Sequence, residues 1–96
     1  MYTTGKLYEV EESSVRKIGG TIPIRFIGET VSITVYGSEQ KPSSLSDMAD
    51  ISVDISPITS AGYQNFDALP RYIAFDGTVT DIEVSNLRLD EIDDIS

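Results

Sequence analysis

Residues 71–89 read RYIAFDGTVTDIEVSNLRL, and no other stretch limits the fold so tightly. Tyr72, Ile73, Ala74 and Phe75 form an apolar run without a charge, the pattern of a strand covered on both faces. Ile82 and Val84 then alternate with Asp81, Glu83 and Ser85, so apolar residues recur at every second position, as on a strand with one face in a core and one in water. A helix would need them three and four apart. The chain must therefore be built from strands. After Ser85 the alternation changes phase: Asn86 falls where an apolar residue is due, and Leu87 and Leu89 carry the pattern on the other parity. A β-bulge or bend near Ser85 and Asn86 is the expectation.

Asp76-Gly77 is a hairpin signal. A two-residue turn would set Phe75 opposite Thr78 and Ile73 opposite Thr80. A four-residue loop over 77–80 pairs Phe75 with Ile82 and Ile73 with Val84, and is preferred because it sets apolar on apolar. It also brings Asp76 against Asp81, a like-charge pair that must be solvated or bridged by a cation. The Asp-x-Asp-x-Asp-Gly spacing of a calcium loop is missing, so a solvated turn and no metal site are expected.

A second hairpin is predicted over 21–36. Ile22, Ile24 and Phe26 alternate with Thr21, Pro23 and Arg25, and Val31, Ile33 and Val35 alternate with Thr30, Ser32, Thr34 and Tyr36. Gly28-Glu29 suits a type II′ turn, which wants glycine first. That turn sets Phe26 opposite Val31, Ile24 opposite Ile33 and Ile22 opposite Val35, so turn chemistry and apolar pattern agree. Pro23 has no N–H to donate, which places its strand at a sheet edge, at least on the side Pro23 faces.

The remaining chain reads as short strands and two long connections. Residues 6–11 form a first strand whose facing is ambiguous, with Tyr8 and Val10 on one parity and Leu7 and Glu9 on the other. Residues 15–18 are an edge strand or an extended link ending at Gly19-Gly20. The serine-rich stretch 38–50 is long for a hairpin connection and is expected to cross between sheets, with Ser44 capping one helical turn that carries Leu45 and Met48. Ile51, Val53 and Ile55 alternate as another half-buried strand, ended by Pro57. Residues 57–70, PITSAGYQNFDALP, are the second long connection. The acidic end after Leu89, DEIDDIS, reads as a frayed, solvated tail over about 90–96. Together these elements predict one all-β domain over 1–96, a small antiparallel β-sandwich or jelly-roll-like barrel of six to seven strands.

Composition bears on function more than on fold. The chain of 96 residues has no histidine and no cysteine, which removes the commonest general base, the commonest transition-metal ligand and all thiol chemistry. Serine and threonine are plentiful, but a nucleophile needs a base to activate it, and Lys6, Lys17 and Lys41 stand in no catalytic motif. No enzyme, no catalytic residue and no cofactor are expected. Seven basic residues against sixteen acidic ones give a net charge of −9, and the basic ones are scattered, so nucleic acid is not an expected partner. No window approaches a membrane span, and MYTTGKLYEVEE lacks the basic start and apolar core of a secretory signal, so synthesis in a cytoplasm is expected.

Recognition is expected on the 57–70 connection, since long loops on a rigid β scaffold usually carry it. Tyr63, Asn65, Phe66 and Asp67 are the candidate residues: an aromatic ring stacks on a sugar face, and amides and carboxylates bond its hydroxyls. The plainer and favoured reading folds Tyr63 and Phe66 back as plugs over the sandwich end, with Asn65 and Asp67 stabilising turns. A third reading makes the rings anchors of a protein interface.

The segments TVSITVYGS and YIAFDGTVTDIEVSNLRL, in a small cysteine-free chain rich in Ser, Thr, Val and Ile, resemble accessory virion proteins of tailed bacteriophages, notably capsid decoration proteins and small tail or fibre modules. The resemblance runs over most of the chain and rests on no signature motif. It implies a non-enzymatic particle component, often a homotrimer, that adds to a capsid or tail protein and resides in the virion. A carbohydrate- or receptor-binding module using the 57–70 connection is the alternative.

Overall fold

A computed structural model describes residues 2–11, 22–52, 56–66, 69–85 and 88–96. Within them lie β1 (Lys6–Val10), β2 (Ile22–Ile27), β3 (Ser32–Ser38), β4 (Ala49–Asp50), β5 (Gly62–Phe66), β6 (Tyr72–Thr78), β7 (Asp81–Val84) and β8 (Leu89–Asp94), with one 3₁₀ turn over Leu45–Asp47. They form two antiparallel sheets, one of five strands in the order β4-β3-β6-β1-β8 and one of three in the order β5-β2-β7. The fold is all-β, a sandwich of two open sheets rather than a closed barrel.

The central strand reads as its composition requires. β6 lies between β3 and β1, with Ile73 and Phe75 in the main core and Ala74 in a second cluster on the other face of the same sheet. β1 resolves its ambiguous facing in the same way. Tyr8 and Val10 enter the main core, and Leu7 joins Ala74, Met48 and Ile95 in the second cluster. The 3₁₀ turn brings Leu45 and Met48 onto that outer face, as the spacing suggests, although the Ser44 side chain makes no cap and bonds Ser46 instead, Oγ to Oγ at 2.7 Å. Between the sheets Phe26 and Phe75 meet edge to face, with ring centroids 6.3 Å apart. Tyr8 packs at 6.1 Å on the same Phe75. Burial pushes the Tyr8 phenol above its ordinary value.

Neither expected hairpin forms. β2 pairs with β5 and β7, whereas β3 pairs with β6 and β4, so the 27–32 connection carries the chain from one sheet to the other. β6 and β7 part in the same way. The four strands instead make one long antiparallel ladder bent at a corner: Ile27 faces Asp81 on one side of the bend and Ser32 faces Thr78 on the other, so residues 28–31 oppose residues 79–80, four against two. The Thr80 N–H donates to the Ile27 carbonyl at 2.8 Å and closes the corner. Gly28, at φ +156, lies where an added Cβ would stand 2.9 Å from the Thr80 Oγ1. Apolar side chains expected to face each other laterally within one sheet thus meet through the thickness of the sandwich.

Other expectations fall with the hairpins. Asp76-Gly77 is strand rather than turn: Gly77 pairs with Ile33 at φ +128, and a Cβ there would land on the Ser32 carbonyl, so only glycine allows the approach. Asp76 pairs with Thr34 and Asp81 with Ile27, so the two carboxylates do not oppose each other. Pro23 is not at a sheet edge, because β2 is the middle strand of its sheet. It is tolerated because its nitrogen faces β7, which ends at Val84 just short of it. There the Ser85 N–H still donates to the Pro23 carbonyl at 3.2 Å. The phase change after Ser85 marks passage between sheets, from β7 to β8, with Asn86 and Leu87 outside the described residues.

The 38–50 connection does not cross: β4 returns to pair with β3 in the same sheet. The chain continues beside β3, where the Ser52 Oγ accepts the Val35 N–H at 3.0 Å and Ile58 bridges Ile33. Val53 and Ile55 of the strand expected there lie outside the described residues, as does the 15–18 segment. A Ser56 hydroxyl donating to the Asp50 carboxylate, with the Ser52 N–H at 2.8 Å, holds that carboxyl below its usual range. The acidic end is not frayed. β8 pairs with β1, Ile95 is buried, and the Ile95 N–H donates to the Gly5 carbonyl at 3.0 Å. Two buried apolar residues, Leu89 and Ile95, bracket the acidic run and hold it down.

Candidate functional site

The residues singled out for recognition fall on β5, at the edge of the three-stranded sheet, and strand parity sorts them. Tyr63 and Asn65 project to the outer face, where Tyr63 is 59% exposed. Phe66 has the opposite parity and is 1% exposed in the main core beside Ile22, so it is not a surface residue and cannot line a ligand site. Asp67 lies outside the described residues. Of the two residues read as plugs, Phe66 fills that role from within and Tyr63 does not.

The neighbouring strands complete the surface. Arg25 of β2 pairs with Tyr63 on one side and Glu83 of β7 on the other. Its guanidinium carbon stands 5.8 Å from the Tyr63 ring centroid, and its Nη1 is 3.8 Å from the Glu83 Oε2. A row Tyr63–Arg25–Glu83 therefore crosses the sheet, with Asn65 and Pro23 in the row beside it. Cation–π contact at such an exposed place is worth about 0.5–1 kcal/mol, enough to orient the ring without burying it. Arg25 and Glu83 were open to detection from parity alone, since each sits between core residues of its strand, Ile24 and Phe26 or Ile82 and Val84.

The main chain of β5 adds a second feature. In an antiparallel ladder a residue directs its N–H and C=O to the same side. The bond from Ser85 to Pro23 shows that Pro23 and Arg25 address β7, so Ile22, Ile24 and Phe26 address β5. Gly62, Gln64 and Phe66 answer them, and Tyr63 and Asn65 point their N–H and C=O groups off the sheet. No strand lies beyond β5 among the described residues.

A separate open groove of about 540 Å³ is lined by Gly37, Ser38, Glu39, Asp47, Ala49, Ile51, Leu69 and Pro70. Gly37 has no room for a Cβ because the Pro70 ring sits against it. The ionisable groups on this lining are Glu39 and Asp47. On the outer face of the three-stranded sheet, the arrangement can stack, hydrogen-bond and pair charges. Among the described residues no three His, Cys, Asp or Glu side chains gather as a metal site, and no helix is long and apolar enough to cross a membrane. Compared with protein-family models, curated proteins and solved structures, the chain matches none of them.

Proposed function

We propose that this chain is a non-enzymatic binding module of a tailed-bacteriophage particle, a capsid decoration protein first and a tail module second, that works by contact through the outer face of its three-stranded sheet. The observation that carries the reading is the Tyr63–Arg25–Glu83 row, an exposed ring oriented by a cation on a rigid strand framework. Tyrosine and arginine are the residue types that most often anchor protein interfaces. The particle class comes from the resemblance of the chain to accessory virion proteins.

The experiment follows the protein into the particle. Virions purified from cells that make the chain are expected to carry it in fixed proportion to the capsid or tail protein, and Tyr63→Ala should reduce its occupancy at least several-fold while the free protein stays folded. Recovery of the chain wholly outside purified particles overturns the reading. A glycan is the second ligand to test, because the Tyr63 ring, the Asn65 amide and the Arg25 guanidinium share one face. Glycan-array signal that disappears in Tyr63→Ala favours it, and an empty array removes it.

A further inference from the structure

The outward-pointing groups of β5 fit a second copy of the same strand. We infer that the chain forms a two-fold dimer by antiparallel pairing of β5 with β5 of another molecule, joining two three-stranded sheets into one of six. The inference goes beyond the particle reading and stands without it, since it concerns the free protein.

The register follows from geometry already described. Tyr63 and Asn65 are the β5 residues whose N–H and C=O leave the sheet, and Gln64 lies between them. A two-fold axis through Gln64 sets Tyr63 opposite Asn65 of the second copy and Asn65 opposite its Tyr63. Each of these is a hydrogen-bonded pair, so all four outward groups of each strand are satisfied at once. The two Gln64 residues face each other at the axis as a non-hydrogen-bonded pair. On the outer face each Tyr63 ring then lies beside the Asn65 amide of the other copy, and the two Arg25-oriented rows become one continuous surface.

Charge selects this edge over the others. The molecule carries a net charge of −9, so two copies approach only where carboxylates are sparse. β5 reads GYQNF, with no charge and no proline, and its flanking cation is Arg25. At β8 the outer strand carries Asp90, Glu91, Asp93 and Asp94, and its register shifts opposite Leu7 and Tyr8, a bulge that spoils pairing. β4 is two residues long, and the outer side of β7 already accepts the Tyr2 N–H at Ile82, 3.0 Å. A head-to-tail ring would need β5 to add onto one of these different edges, whereas a two-fold dimer needs only β5.

Light scattering across a concentration series of the purified protein tests the inference, with two variants. The wild type is expected at twice the chain mass. Asn65→Pro removes an N–H that makes no bond among the described residues, so it should leave the circular dichroism unchanged and halve the mass. Gln64→Cys places the chain's one thiol at the axis, where paired Cα atoms about 4.5 Å apart suit a disulfide. Mild oxidation should cross-link it at least tenfold faster than a Glu39→Cys control on an exposed loop. A wild-type monomer, a trimer, a dimer indifferent to Asn65→Pro, or equal cross-linking of the two cysteine variants overturns the inference. If Asn65→Pro fails to fold, the cysteine comparison decides alone.

Discussion

β5 and β8 are both outermost strands, and they treat the same liability in opposite ways. A strand with an unpaired side is a template for another chain. β8 blunts it with four carboxylates and a bulge, while it is held from within by Leu89 and Ile95 and clamped by Lys6, which bonds Asp94 and stands 3.9 Å from Glu91. β5 has no charge on it, and its outward face carries Tyr63 and Asn65 over a single deep anchor, Phe66. One edge is built to refuse a strand and the other is left able to take one.

The two edges differ first in how they are anchored. Phe66→Ala should cost about 3–5 kcal/mol of stability, since it empties a site in the main core, and a urea titration will show the midpoint fall by a corresponding amount. A loss under about 1 kcal/mol would mean that β5 is not tied to the core as described. Ile95→Ala should cost less, about 2 kcal/mol, because its cluster with Leu7, Met48 and Ala74 is small. Equal losses in the two variants would erase the distinction between a strand pinned in the core and one pinned at its rim.

They differ next in charge. Changing Asp90, Glu91 and Asp93 of β8 to their amides together should leave the fold intact and raise self-association several-fold in light scattering, through an edge no longer repelling its own kind. Unchanged solubility would assign the protection to the bulge alone. The smallest effect is expected with pH. The hydrogen bond to Asp94, its charge and that of Glu91 raise the Lys6 ammonium above its ordinary value of 10.5, and burial raises the Tyr8 phenol above 10.0. Both folded values exceed the unfolded ones, so their contribution is complete below about pH 10 and is lost as pH rises through the folded values. Urea midpoints should therefore decline in alkali, and less steeply in Tyr8→Phe. Amide exchange is expected to show β8 loosening first, since the Lys6 clamp acts on that strand.

The sequence shows strands better than it shows their partners. Period-two alternation places Ile24, Phe26, Ile33, Val35 and Ile82 in the core correctly, and the unbroken apolar run does the same for Ile73 and Phe75. It does not say whether two such runs lie side by side in one sheet or face to face across two, because both arrangements set apolar on apolar. The two supposed hairpins satisfied that criterion and still come apart at the corner, where Gly28 and Gly77 serve close approach rather than tight reversal. At the candidate site the favoured reading folds Tyr63 back as a plug, whereas the ring is exposed on the outer face. Treating GYQNF as loop hid the parity that separates Tyr63 and Asn65 from Phe66 and brings Arg25 and Glu83 beside them. The acidic end was misread because the two apolar residues that hold it, Leu89 and Ile95, stand on either side of the charges, and only tertiary contact shows what they hold.

The bent ladder also dictates an order of events. β1 pairs with β6 and β8, and β2 with β5 and β7, so neither can be completed by a near neighbour in the chain. On the ribosome the first half of the molecule must wait, its apolar sides uncovered, until β6, β7 and β8 have emerged, and closure then comes late and slowly, as for other β topologies dominated by distant pairings. During that interval the uncovered apolar sides are open to aggregation.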